Sequence, residues 1–400
     1  MSETPAATRA DALAWVAGSD APEKSVLNLG FMALTDAAPL IVAATQGFGQ
    51  PHGLSLSLHR QPSWSSLRDR LIDGQLDAAQ FLYGMVYGTH LGIGSPPREM
   101  AVLMGLSRNG QGITLSTRLR QAGVTSADAL RRHVRQNSAP LTLAQSFPTG
   151  THALWLNYWL AANQIHPQRD VRILVVPPAQ MVAQLAAGSI DGFCAGEPWG
   201  AQAIAHGAGF TVATSQSIWP DHPEKVLGCT RRFVDECPNA ARALVMTLID
   251  AARFIEASEH NRRSTAALLA SPDYLDVPAA VIEPRLLGRY EDGLGHAWLD
   301  RHPVVFFGEG DVGMPYRSDG LWFLTQLHRW GLLRDEPDYE GIVRQVQRTD
   351  IYQDAATAVG VAVPSATHRR SMLAGGEAWD GHDPYGYARG FALHALAGPR

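Results

Sequence analysis

Four hundred residues, 46% apolar and 18% charged, are enough for two or three hydrophobic cores rather than one. With 33 basic against 38 acidic residues and a formal charge of −5, the chain has no cationic surplus to neutralise phosphates, so direct nucleic-acid binding is not expected. The three cysteines, Cys194, Cys229 and Cys237, are too few for a disulfide framework and form no CxxC pair for zinc; a reducing compartment fits them, and no cofactor is expected.

At the N-terminus, Glu3, Arg9 and Asp11 fall where a secretory leader needs unbroken apolar residues, so no signal peptide is expected. Ser2–Asp20 reads as a mobile arm or one short helix. The longest uncharged stretch, Ala78–Pro97, is interrupted by Gln80, Tyr83, Gly84, Thr89 and His90 and is no membrane span. The expectation is a cytoplasmic protein without membrane insertion, the alternative being an exported one whose leader was trimmed.

Two segments then share one layout. Leu54, Leu56 and Leu58 alternate as in a strand, Gln61–Ser63 form a loop, Trp64–Ile72 a helix, and Gly74 and Asp77 introduce AAQFLYGM. Val171–Val176 repeat the strand, Pro177 and Pro178 the loop, Ala179–Ala187 the helix, and Gly188 and Asp191 introduce GFCAG. Leu71, Gly74 and Asp77 have the spacing of Leu185, Gly188 and Asp191, as expected when a glycine ends a helix and a turn feeds the next strand. Each copy is a βαβ crossover, which predicts an α/β protein of two similar lobes, each with its own mostly parallel sheet. Ligands in such sheets sit beyond the strands' carboxyl ends, here the loops at Gln61–Trp64 and Val176–Ala179 facing a shared cleft. Recurrent turn chemistry alone is the competing explanation of the matched spacings. Further helices are predicted over Asn239–Ala257 and Asp319–Trp330, their apolar faces core rather than cofactor site.

Four stretches offer hydrogen-bond donors. Trp64 ends QPSW, where its indole N–H would reach the cleft unless the ring is simply core. Gln111 lies in Asn109–Gly112, a turn or a strand crossing between lobes. Thr149–Thr151 stand at the N-terminus of a helix running into ALWLNYWLAA, a position that attracts anions, and His152 adds a side-chain donor; an ordinary capped helix is the alternative. Lys225 ends the two-proline loop IWPDHPEK, and by itself would be a solvated lysine. Together they suit a ligand that is negative and carries only acceptor oxygens.

FPTGTH at Phe147–His152, VVPPAQMV at Val175–Val182, GEPW at Gly196–Trp199 and WPDHPEK at Trp219–Lys225 resemble the nitrate- and bicarbonate-binding (NrtA/CmpA) family of ABC-transporter solute-binding proteins, over about Leu27 to Thr357. The resemblance implies a two-lobed periplasmic-binding-protein-like fold of type II with the ligand cleft between lobes. Lobe 1 would be 25–115 and 222–345, lobe 2 would be 116–221, and 346–400 would be a C-terminal extension packing on lobe 1. It implies that Trp64, Gln111, His152 and Lys225 contact nitrate or nitrite. Without a leader, the chain is most similar to NasS-type cytoplasmic sensors, which implies a regulatory role: holding an RNA-binding antiterminator partner until ligand arrives. The alternative is the binding component of an ABC transporter. A third, an enzyme resembling thiamine-pyrimidine synthases, is disfavoured because Cys194 stands alone in GFCAG and no Ser/His/Asp or HExxH pattern is present; Glu197 reads as a helix cap or a cleft acceptor.

Overall fold

The computed structural model describes residues 20–362, 364–373 and 376–396; the predicted arm lies outside these but for Asp20. Two five-stranded sheets carry the molecule. The strands in chain order are β1 (Val26–Phe31), β2 (Ser55–Arg60), β3 (Ala78–Leu82), β4 (Met100–Arg108), β5 (Gln111–Ser116), β6 (Leu141–Gln145), β7 (Val171–Val175), β8 (Gly192–Gly196), β9 (Gly209–Thr214) and β10 (Pro223–Thr230). The first sheet has the order β2-β1-β3-β10-β4 and the second β7-β6-β8-β5-β9.

The repeat is visible atom by atom. Helices Trp64–Ile72 and Pro178–Ala186 end before Gly74 and Gly188, both at φ +74°, a left-handed turn that glycine adopts without steric cost. Asp77 then clamps the start of the neighbouring parallel strand: its carboxylate accepts Asn28 N–H at 2.8 Å, as Asp191 accepts Thr142 N–H at 2.9 Å.

Four strands of each sheet run the same way, as expected of mostly parallel sheets, and one is reversed. β10 runs antiparallel to β3 and β4, and β5 runs antiparallel to β8 and β9. Each of these strands enters its sheet directly from the other half, so it arrives from the cleft side and must run opposite to the crossover-connected strands. The first crossing is Asn109–Gly110, both at positive φ, and residues 111–115 therefore lie in the second sheet, not with lobe 1 as expected. The crossings touch: Asn109 N–H donates to His222 O at 3.2 Å and its side chain to Asp221 at 3.2 Å.

The halves meet closely. Thr35 N–H donates to Glu197 O at 2.8 Å, Trp199 Nε1 to Ala33 O at 3.0 Å, and Tyr83 N–H to Thr151 Oγ1 at 3.1 Å. Trp155, on helix Thr151–Ala162, stacks on Trp322 of helix Arg317–Arg329 with centroids 4.8 Å apart. The C-terminal segment does not pack on the first half alone. Trp379 donates to Ser318 O and Arg369 pairs with Asp319, but Tyr158 also donates to Glu377, and His166 Nε2 lies 2.8 Å from His394 O.

Candidate anion-binding site

The carboxyl ends of β1, β3, β6 and β8 meet at the junction of the halves, as crossover connectivity requires. From the first half come Asp36, just after β1; Trp64, first residue of the helix after β2; Gln80 in β3; and Glu224 and Lys225 in β10. From the second come Gln111 at the start of β5, Ser146 just after β6, His152 in the helix that follows, and Gly196 at the end of β8.

Lys225 was expected in a loop. It lies instead in a central strand, paired with Leu82 and Ser107, and is fully buried. The pairing of β10 with β4 shifts register on both sides of Lys225, a bulge that breaks the alternation of faces and lets Glu224 and Lys225 reach the same place. Lys225 Nζ donates to Asp36 Oδ2 at 3.0 Å, pairs with Glu224 Oε1, and lies 3.3 Å from His152 Nε2 and 5.9 Å from the centre of the Trp64 ring. Asp36 is held on its other oxygen by Gln80 Nε2, and Gln80 Oε1 accepts Met32 N–H at 2.8 Å.

His152 is buried at the second position of its helix, with Nδ1 2.5 Å from Ser146 Oγ. Burial, then the Lys225 charge, hold its pKa well below the usual histidine value, so the ring is neutral. With Lys225 donating to Nε2, the ring proton sits on Nδ1 and points to Ser146. Burial alone would lower Lys225, but Asp36 and Glu224 more than reverse this and hold it charged. Burial raises both carboxyls, more than Lys225 lowers them.

Trp64 and Gln111 reach the site's walls without being used up. Both are buried, and Trp64 Nε1 and both side-chain polar atoms of Gln111 have no hydrogen-bond partner among the described residues. Buried polar groups left unpaired cost about 1–3 kcal/mol each, which a ligand in the cleft would relieve; the indole N–H groups of Trp155 and Trp219 are in the same state, so it is the position of Trp64 and Gln111 that singles them out. Across the sheet from Gln111 is Gly196, where a Cβ would stand 3.1 Å from Asp36 Oδ2 and 3.6 Å from His152 Nε2; glycine keeps that approach open.

The four residues singled out from the sequence thus lie on the two halves around one junction. An all-donor site was expected, and that is corrected: Asp36 and Glu224 bring two carboxylates. Sequence reasoning missed Asp36, Gln80, Glu224 and Ser146. The usable signal was polarity out of place: Asp36 interrupts the apolar run from Phe31 to Ala44, and Gln80 sits within AAQFL. Glu197 does cap, accepting Ala201 N–H at 3.3 Å, and also pairs with buried Arg285 at 3.3 Å. Cys194 is buried in β8 with its thiol pushed up by burial, unlike a poised nucleophile. Among the described residues there is no cluster of three or more metal-ligating side chains, and no helix is long and apolar enough to cross a membrane.

Residues 20–270 match the NMT1-like family. The nitrate/nitrite binding protein NrtA of Synechocystis is 36% identical over 394 residues, covering 95% of this chain and 88% of that protein. The nitrate import ATP-binding protein NrtC of the same organism is 37% identical over 383 residues, and there the chain spans 57% of the relative's length. The crystal structure of the periplasmic nitrate-binding protein NrtA from Synechocystis superposes with a TM-score of 0.89 at 34% identity, covering 93% of this chain and all of that one. The two-lobed, periplasmic-binding-protein-like fold is therefore that of this chain.

Proposed function

Because the chain belongs to the NMT1-like family, among its NrtA/CmpA-like solute-binding proteins, we propose that its cleft binds nitrate or nitrite by closure of the two halves. The observation that carries this reading is buried Trp64, whose indole N–H is unpartnered and whose ring centre is 5.9 Å from the Lys225 ammonium, which in turn is 3.3 Å from His152 of the opposite half. Nitrate offers only acceptors, and a cation with N–H donors in a dry cleft is its natural complement. The carboxylates favour it over bicarbonate less than an all-donor site would, but both Asp36 oxygens are already taken by Gln80 and Lys225.

Calorimetry with nitrate, nitrite, bicarbonate, sulfate and an alkanesulfonate tests the ligand class. Saturable binding of nitrate or nitrite above the others is expected; binding of the alkanesulfonate alone overturns the reading.

For what closure does, the relatives' names support delivery of the anion to a membrane transporter. The NasS-like resemblance supports a second reading, a cytoplasmic sensor whose antiterminator-type partner is released when ligand closes the cleft. The coupling in that case is reciprocal: a tenfold loss of partner affinity on adding nitrate, about 1.4 kcal/mol, requires an equal loss of nitrate affinity on adding partner. Pull-downs with and without nitrate separate the two, and equal recovery in both speaks for transport.

A further inference from the structure

The site holds more negative charge than an anion receptor needs. One cation, Lys225, is shared by two fully buried carboxyl groups, Asp36 Oδ2 at 3.0 Å and Glu224 Oε1, so the ionised trio carries a net negative charge before any ligand enters. Among the described residues no other charge nearby redresses this. His152, from the helix of the other half, is 3.4 Å from Glu224 Oε1 but neutral; His222, just before the strand that holds Glu224, has Nδ1 3.9 Å from Glu224 Oε2, and burial pushes its pKa down to about 4. Cys194 on β8 is a buried neutral thiol, and Arg369 pairs with Asp319. Adding nitrate to an ionised trio places like charges together where water is excluded, and groups so placed take up a proton instead.

The two carboxyls are not equivalent. Asp36 accepts from Gln80 Nε2 on one oxygen and from Lys225 on the other, an arrangement that satisfies the ionised form. Glu224 uses Oε1 on Lys225, while Oε2 is buried without a hydrogen-bond partner. A proton on Oε2 removes the excess charge, costs no existing bond, and converts an orphaned acceptor into a donor. Resting on the proposed anion-binding role, we infer that the cleft closes on its anion together with one proton from solvent, and that Glu224 is the residue that carries it. The cleft is thereby selective for a monoanion, since a dianion would call for a second proton and no other carboxyl oxygen of the pair is free to hold one.

The experiment is to mix the protein with neutral sodium nitrate in weakly buffered solution and read the pH, alongside the nitrate Kd measured across pH 7 to 9. Close to one proton taken up per bound nitrate is expected, with Kd rising about tenfold per pH unit above neutrality. Glu224→Gln keeps the side chain's shape, and should bind nitrate with no proton uptake and a Kd indifferent to pH. Should that variant not fold, Asp36→Asn gives the same reading, because Lys225 and Glu224 alone are a balanced pair. Saturable nitrate binding without alkalinisation in the parent overturns the inference, as does full uptake in Glu224→Gln or in Asp36→Asn. Absence of any nitrate binding by the parent overturns the underlying functional reading, and this inference with it.

Discussion

Lys225 and His152 come from opposite halves of the molecule, and Nζ of the one stands 3.3 Å from Nε2 of the other. The cleft's cation and its helix-borne imidazole are adjacent only when the halves are together, so under the proposed function ligand affinity and closure of the halves are linked. Saturating nitrate should therefore reduce the radius of gyration measured by X-ray scattering, with rotation about the crossings at Asn109–Gly110 and around Asp221 rather than within β5. An unchanged radius at full calorimetric occupancy would exclude hinge closure.

Trp64→Phe keeps the buried ring and removes only the unpartnered N–H. A hydrogen bond to a charged acceptor contributes about 1.5–3 kcal/mol, so nitrate affinity should fall roughly ten- to over a hundredfold. Melting without ligand should stay near the parent or rise slightly, since an unsatisfied buried donor is gone. A full-strength binder would place Trp64 in the core and not in the site.

Lys225→Ala behaves differently from a surface substitution. Deleting the cation leaves Asp36 and Glu224 buried without their partner, and breaking such a buried pair costs about 3–5 kcal/mol. Loss of nitrate binding should come with a clearly lowered Tm, partly recovered at acid pH as the carboxyls protonate. Lys24→Ala, whose lysine is 40% exposed and paired with Asp77, is the control and should bind nitrate normally. A Lys225→Ala protein melting like the parent would contradict the burial described above.

His222 makes stability acid-sensitive. Its folded pKa of about 4 lies below the ordinary 6.5, so the unfolded chain binds the proton more readily. The histidine's contribution is complete above pH 6.5 and declines as pH falls towards 4, with a slope of up to about 1.4 kcal/mol per pH unit. His222→Gln should show a shallower loss of stability over that window in urea titrations. Equal slopes in parent and variant would mean that the ring is not held neutral.

Much of the architecture was legible in the residues because it rests on local rules. Gly74 and Gly188 end helices at positive φ whatever surrounds them, and the Asp77 and Asp191 turns follow from the same short-range geometry, so one layout repeated in sequence is repeated in space. Trp64, Gln111, His152 and Lys225 stood out as hydrogen-bond donors, His152 and Lys225 within the long motifs FPTGTH and WPDHPEK and Trp64 and Gln111 in short stretches. Strand direction and burial depend on partners far away in the chain. HPEK reads as a loop because a proline and charged residues in succession rarely form a central strand, yet Glu224 and Lys225 are buried in one. Their desolvation is offset by Asp36, 189 residues away, and by the bulge that turns both side chains to one side. Local sequence thus determined the two βαβ halves and the donor inventory. Tertiary structure alone decided that β5 and β10 run against their sheets and that Lys225 in the cleft is shared by two carboxyls, because ion pairing in a dry interior is set by distance in space and not by distance along the chain.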